Sequence, residues 1–200
     1  MSFVIFDLEY TTWKGCQENG WKRNQKKEIV QISALKISDR LKVLDEFNSY
    51  CQPKINPILS DYFENLTGIT NQFIQKNGIS FSEAYKKFKK FVSNDACFSH
   101  SWGKPFYDLA DGNIIQENLQ LYNLPKDSSI RYYNIAEWFK NKYQEAQLNK
   151  FPESSGKIAK VLGKEKILTH LGLDEHNALY DVYSILEGIK SFTNQFKIDR

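Results

Sequence analysis

The chain opens on an apolar run, Phe3 to Leu8, that is interrupted by Asp7 and followed at once by Glu9. A short run rich in aromatic and β-branched residues reads as a buried strand. Side chains alternate across a strand, so Asp7 and Glu9 fall on one face. Two carboxylates emerging from an apolar strand are costly unless something pairs them. A hard divalent cation, which prefers oxygen ligands, is the obvious partner. Any fold for this chain must therefore bury its first strand and still find a use for two acids at the strand's end.

The rest of the pattern supplies a sheet and its cover. Glu28 to Ser38 alternates and reads as a second strand, and Lys42 to Cys51 reads as a third, paired through Ser38-Asp39-Arg40. Trp13 to Lys27 is polar, carries Gly15 and Gly20, and reads as a loop. Leu59 to Leu66 reads as a short helix closed by Gly68. Ser80 and Glu83 form a capping-box pattern, after which Phe81, Ala84, Tyr85, Phe88, Phe91 and Val92 recur at helical spacing. Cys97 to His100 and Ile130 to Tyr133 read as short strands. Asp108 to Leu121, Ala136 to Leu148 and Asn177 to Phe196 read as helices, with shorter ones between Ser154 and Leu171. Strands first, then mixed helix and strand, give an α/β or α+β domain with one sheet and helices on it. No linker divides it, so residues 1–200 are expected to form a single domain.

Composition excludes several classes. Net charge is only +3, so this is no histone-like polycation. Two local clusters, Lys22, Arg23, Lys26 and Lys27, then Lys86, Lys87, Lys89 and Lys90, suit either phosphate contacts or plain solvated surface. Three scattered cysteines without a Cys-x-x-Cys pair fit a reducing compartment and argue against a structural zinc. The N-terminus lacks a basic flank, and no apolar run approaches the ~20 residues of a membrane span. The expectation is a cytoplasmic protein.

Further acids complete the constellation. Asp181 lies on or near the apolar side of the last helix, beside Ala178, Val182 and Ile185, with His176 five residues earlier. In the middle, Asp111 opens a helical face continued by Ile114, Ile115 and Leu119. Asp108 is its competitor, but the residues three and four beyond it are Asp111 and Gly112, which make no inward face.

Three spaced motifs now stand in order: Phe6-Asp7-Leu8-Glu9-Tyr10-Thr11-Thr12, a mid-chain Asp heading an amphipathic helix, and His176-x-Ala178-x-x-Asp181. Together they resemble the DEDDh family of 3′→5′ exonucleases, from Phe3 to about Ile189. Glu28 to Ala34 is similar to that family's second strand, and Leu66-Thr67-Gly68-Ile69-Thr70 to its turn beside the terminal nucleotide. Trp102-Gly103 and the long loop after Trp13 look more like the RNA-trimming branch than the proofreading branch. The segment Lys104 to Ala110 is longer and more proline-disturbed than the family pattern, which keeps Asp108 open beside Asp111.

The resemblance implies a ribonuclease-H-like α/β fold, a mixed central sheet flanked by helices. It implies that Asp7, Glu9, Asp111 and Asp181 hold two Mg²⁺ or Mn²⁺ ions about 4 Å apart, with Asp7 central and His176 as general base. It implies a 3′-terminal nucleoside pocket from Tyr10, Thr11, Leu66, Gly68, Ile69 and Trp102. The partner is a single-stranded nucleic-acid 3′ end, RNA ahead of DNA. The alternative on the same fold is an inactive nucleic-acid-binding module, against which all four acids and His176 are present.

Overall fold

In the computed structural model, which describes residues 2–101, 109–148, 150–152, 154–194 and 196, the first strand becomes the centre of a five-stranded sheet. The strands are β1 (Ser2–Tyr10), β2 (Ile29–Ser38), β3 (Val43–Tyr50), β4 (Ala96–Ser99) and β5 (Arg131–Asn134), in the order β3-β2-β1-β4-β5. β1, β2 and β3 are linked antiparallel, whereas β4 and β5 run parallel to β1. The first three strands can be joined by short connections, but parallel neighbours need long crossovers. The chain fills those crossovers with helices: α4 (Phe81–Val92) precedes β4, and α5 (Asp111–Leu121) lies between β4 and β5.

Alternation along β1 divides the core into two layers. Val4, Phe6 and Leu8 pack with Phe81, Phe88, Ile115 and Leu119 of α4 and α5. Phe3 and Ile5 face the opposite way, toward Phe139 of α6 (Ala136–Glu145) and Val182, Ile185 and Ile189 of α8 (Ala178–Phe192). Asp7 and Glu9, two and four residues beyond Ile5, therefore inherit the α8 face. The remaining elements are α1 (Cys16–Asn19), α2 (Asp61–Thr67), α3 (Asn71–Asn77), α7 (Lys157–Val161) and a 3-10 turn over Glu165–Leu171. A smaller cluster of Val30, Leu59, Phe63, Ile69 and Ile74 seats α2 and α3 against β2.

Local chemistry sets the boundaries. The Ser80 hydroxyl accepts from Glu83 N and starts α4, and Gly68, at φ 70, closes α2 in the left-handed conformation. Gly188 has no room for a side chain: a Cβ there would overlap Ile158 and the Phe139 ring. Some expectations shift. The loop from Trp13 to Lys27 contains α1, the helix expected over Ala136 to Leu148 ends at Glu145, and the last helix ends at Phe192 rather than Phe196. α3 carries no apolar periodicity in the sequence, because only Ile74 within it is buried. Trp102 and the rival acid Asp108 lie outside the described residues. Among the described residues no helix is long and apolar enough to cross a membrane.

Candidate active site

The acids of β1 meet the acid of α8. Asp7 is 6% exposed and Asp181 3%. Carboxylate oxygens of Asp7, Glu9 and Asp181 all lie within 4.8 Å of one another. Gln31, fully buried in β2 and paired across the sheet with Glu9, sets this meeting. Its side-chain amide donates to Asn177 Oδ1 (3.1 Å), and its Oε1 accepts from Ala178 N (3.1 Å). Asn177 is the N-cap of α8 and also accepts from Leu179 N. Gln31 thus fixes the start of α8 on the sheet, and Asp181, one turn later, falls over Asp7.

Asp111 is the first residue of α5, and its backbone N–H donates to the Ser99 hydroxyl at the end of β4 (3.3 Å). It stands outside the tight trio but raises the titration of both Asp7 and Glu9. Ser155, just ahead of α7, lies between two of the acids. Its hydroxyl is 3.0 Å from Asp7 Oδ1 and 2.9 Å from Asp181 Oδ2. One proton serves both oxygens. The next residue, Gly156, leaves no space for a side chain, since a Cβ would sit 2.5 Å from Asp181 Oδ1.

The electrostatics follow from burying like charges together. Burial pushes Asp7 and Glu9 well above the ordinary carboxylate range, and the charges of Asp181 and Asp111 push further. Asp111 is raised by burial to about 7, with Ser99 pulling down and Asp181 pushing up. Asp181 is likewise raised by burial to about 7, against the Ser155 hydroxyl and the backbone N–H groups of His176 and Gly156. Asp181 Oδ1 is buried without a hydrogen-bond partner among the described residues. No Lys or Arg forms a salt bridge with these acids among the described residues. Such an all-oxygen, anionic, under-satisfied cluster fits a hard divalent cation.

His176 precedes the helix rather than starting it, one residue ahead of the N-cap Asn177. Its φ of 68 is left-handed, a conformation that costs a non-glycine residue about 1–2 kcal/mol. Strain of this kind concentrates at functional sites. Burial lowers its titration; the Glu175 carboxylate raises it and the Lys157 ammonium lowers it.

The residues expected to hold a nucleoside divide by role. Tyr10 ends β1, half-buried, with its ring 6.1 Å from that of Trp21. The Thr11 hydroxyl donates to Lys26 O and accepts from Glu28 N (2.9 Å), so it holds the following loop. Leu66 is half-buried and Gly68 exposed, whereas Ile69 is buried at 4% exposure in the cluster with Val30, Leu59, Phe63 and Ile74. Sequence reasoning missed Gln31, Ser99, Ser155 and Gly156. The one available signal was polarity at buried positions: Gln31 stands between apolar residues near the start of its strand.

Known proteins bear on this arrangement. A sequence model of the exonuclease family matches residues 4–187. The 3′-5′ exonuclease eri1 of Schizosaccharomyces pombe is 35% identical over 91 residues, 44% of this chain and 28% of that protein. ERI1 exoribonuclease 2 of Homo sapiens is 29% identical over 90 residues, 44% of this chain and 12% of that protein. The matched stretch is thus under a third of either relative. Among solved structures, cell-death related nuclease 4 aligns with a TM-score of 0.71 at 19% identity, covering 95% of this chain and 62% of that one. The nuclease domain of 3′hExo, a DEDDh family member bound to rAMP, aligns at 0.62 and 19%, covering 100% and 96%. These likenesses show the ribonuclease-H-like fold. With the family match running from Val4 to Glu187, across both the β1 acids and Asp181, this chain belongs to the exonuclease family.

Proposed function

We propose that residues 1–200 act as one domain, a divalent-metal-dependent 3′→5′ exonuclease that releases nucleoside monophosphates from single-stranded ends. The observation that carries the reading is the trio of buried Asp7, half-buried Glu9 and buried Asp181, within 4.8 Å, with the charge of Asp111 acting on it. These four acids would hold two Mg²⁺ or Mn²⁺ ions, with Asp7 central. Bound ions of this kind acidify water and stabilise a leaving oxyanion. His176 supplies the base. Its lowered titration keeps it neutral near pH 7, so it can accept the proton of the attacking water. Ser155 and Gln31 hold the acids in place. Leu66, Gly68 and Ile69, with the backbone after Glu9, form the side of the site for the terminal nucleoside; Tyr10, Thr11 and Trp102 belong to the same proposal. RNA is placed ahead of DNA because a matched relative is named an exoribonuclease and the branch resemblance points the same way. A cytoplasmic setting agrees with Cys16, Cys51 and Cys97 being free and buried.

The test is a 5′-labelled single-stranded RNA and its DNA counterpart with Mn²⁺, Mg²⁺ or EDTA. A metal-dependent ladder shortening from the 3′ end, absent in Asp7→Ala, is expected. Internal cuts or intact substrate in every lane would refute the exonuclease, the latter favouring a binding module.

A further inference from the structure

The proposed reaction uses neither lysine cluster, and the structure distinguishes the two. On α4, Lys87 pairs with Glu83 at 2.8 Å and Lys89 with Asp127 at 2.6 Å, so that cluster is partly neutralised. Lys22, Arg23 and Lys26 are all exposed, and no salt bridge among the described residues involves them.

Their segment, 13–27, is anchored to the strand end that carries the acids. Trp21 Nε1 donates to Thr11 O (3.2 Å), two residues beyond Glu9, and the Thr11 hydroxyl donates to Lys26 O. Lys26 N donates to Asn56 Oδ1 (2.9 Å), and Asn56 Nδ2 donates to Asn24 O (2.9 Å). The Lys27 ammonium lies 4.4 Å from the Trp21 ring centroid and 6.0 Å from that of Tyr10. The adjoining wall exposes apolar surface, Ile58 at 66% and Tyr62 at 37%, and is tied in by Ser60 Oγ donating to Thr12 O. A fixed strip of cations that form no salt bridge among the described residues, flanked by exposed apolar and aromatic side chains, has the chemistry of a single-stranded nucleic-acid track.

We propose that this strip carries the strand upstream of its 3′ terminus, with phosphates on Lys22, Arg23 and Lys26 and bases against Ile58 and Tyr62. The inference rests on the exonuclease reading, because it needs a strand whose 3′ end lies at Asp7 and Glu9. Each phosphate neutralised on a single strand contributes about 0.7 to the slope of log affinity against log salt, so three cations account for about 2. The anchoring bonds of Lys22 and Lys26 use backbone atoms, and truncating the side chains leaves them in place.

The test measures binding of a labelled single strand of about 20 nucleotides to the full chain in Ca²⁺, between about 50 and 200 mM salt. Cleavage in Mn²⁺ is measured alongside. The variant Lys22→Ala/Arg23→Ala/Lys26→Ala is expected to bind roughly a hundredfold more weakly near 0.1 M salt, with a slope shallower by about 2. Lys86→Ala/Lys87→Ala/Lys90→Ala is expected to keep both. Equal slopes for the first variant and wild type would overturn the proposal, even if the wild type shortens strands from the 3′ end. A lost slope with no shortening by the wild type would leave the strip standing and remove the exonuclease.

Discussion

Replacing Asp181 with Asn should stabilise the metal-free protein while destroying its response to metal. In the fold, Asp181 is 3% exposed and faces Asp7 and Glu9 within 4.8 Å. Burial raises its titration from 3.8 to about 7. At 1.36 kcal/mol per pKa unit, holding it ionised above pH 7 costs about 4 kcal/mol of folding stability. Relaxation and water entry reduce the cost, and we take about 2 kcal/mol as the part that survives. Asn keeps an oxygen to accept from Ser155 and removes the charge. For a chain of this size the expected rise in Tm is about 4–8 °C in EDTA at pH 8.

The pH dependence fixes the sign. A carboxyl whose folded value lies above its unfolded one contributes no penalty below the unfolded value, and stability is lost as pH rises toward the folded value. The gap between variant and wild type should therefore be closed near pH 4 and open between about 4 and 7. Saturating Mn²⁺ should reverse the order, since a ligand at a hundred times its Kd adds about 2.7 kcal/mol to the form that binds it. Thermal unfolding from pH 4 to 8, with EDTA and with Mn²⁺, measures all of this. A variant no more stable than wild type at pH 8 in EDTA, or equally stabilised by Mn²⁺, refutes the account of the cluster as a charge trap awaiting a cation.

Three other outcomes are expected. His176→Ala should lower kcat by about 10²–10⁴ while leaving Mn²⁺-induced stabilisation intact, and wild-type turnover would remove His176 as the base. Ser155→Ala removes the hydroxyl shared by Asp7 and Asp181 and should weaken metal affinity by about 10–100-fold, read by calorimetric titration; unchanged affinity would make Ser155 a bystander. Glu28→Ala strands the backbone N–H groups of Lys54, Ile55 and Asn56 and the Tyr122 hydroxyl, all of which donate to its carboxylate. It should cost about 3–5 kcal/mol in denaturant unfolding, and a loss below about 1 kcal/mol would show those donors resolvated at little expense.

Elements legible in the sequence are those whose signal is local. α4 declares itself by a cap and six apolar residues at helical spacing; the structure keeps the cap and buries five of the six, leaving Phe91 half-buried. Asp7 and Glu9 share a face because strand parity is a local rule, and α8 shows its apolar stripe in the chain. What escaped is relational. Ser155 matters because it contacts Asp7 across 148 positions, and Gln31 because it meets Asn177 across 146. Neither distance leaves a periodic trace. Glu28 reads as a strand's first residue, yet its carboxylate gathers three amides from a segment 26 to 28 residues away.

The placement of these polar residues follows from topology. β1, β4 and β5 run parallel, so their C-terminal ends open on one side of the sheet. Each end carries a polar group: Asp7 and Glu9 on β1, Ser99 on β4, and Asn134 on β5, which accepts from Ser101 N and Ala136 N. Crevices at the carboxyl ends of parallel strands are where open α/β sheets bind ligands, because the crossovers turn away there. The other end of β1 is apolar, with Phe3, Val4 and Ile5 at 3% exposure or less. One strand thus holds the fold with its first half and presents carboxylates with its second. That division lets the acids be arranged against their own repulsion without the core giving way.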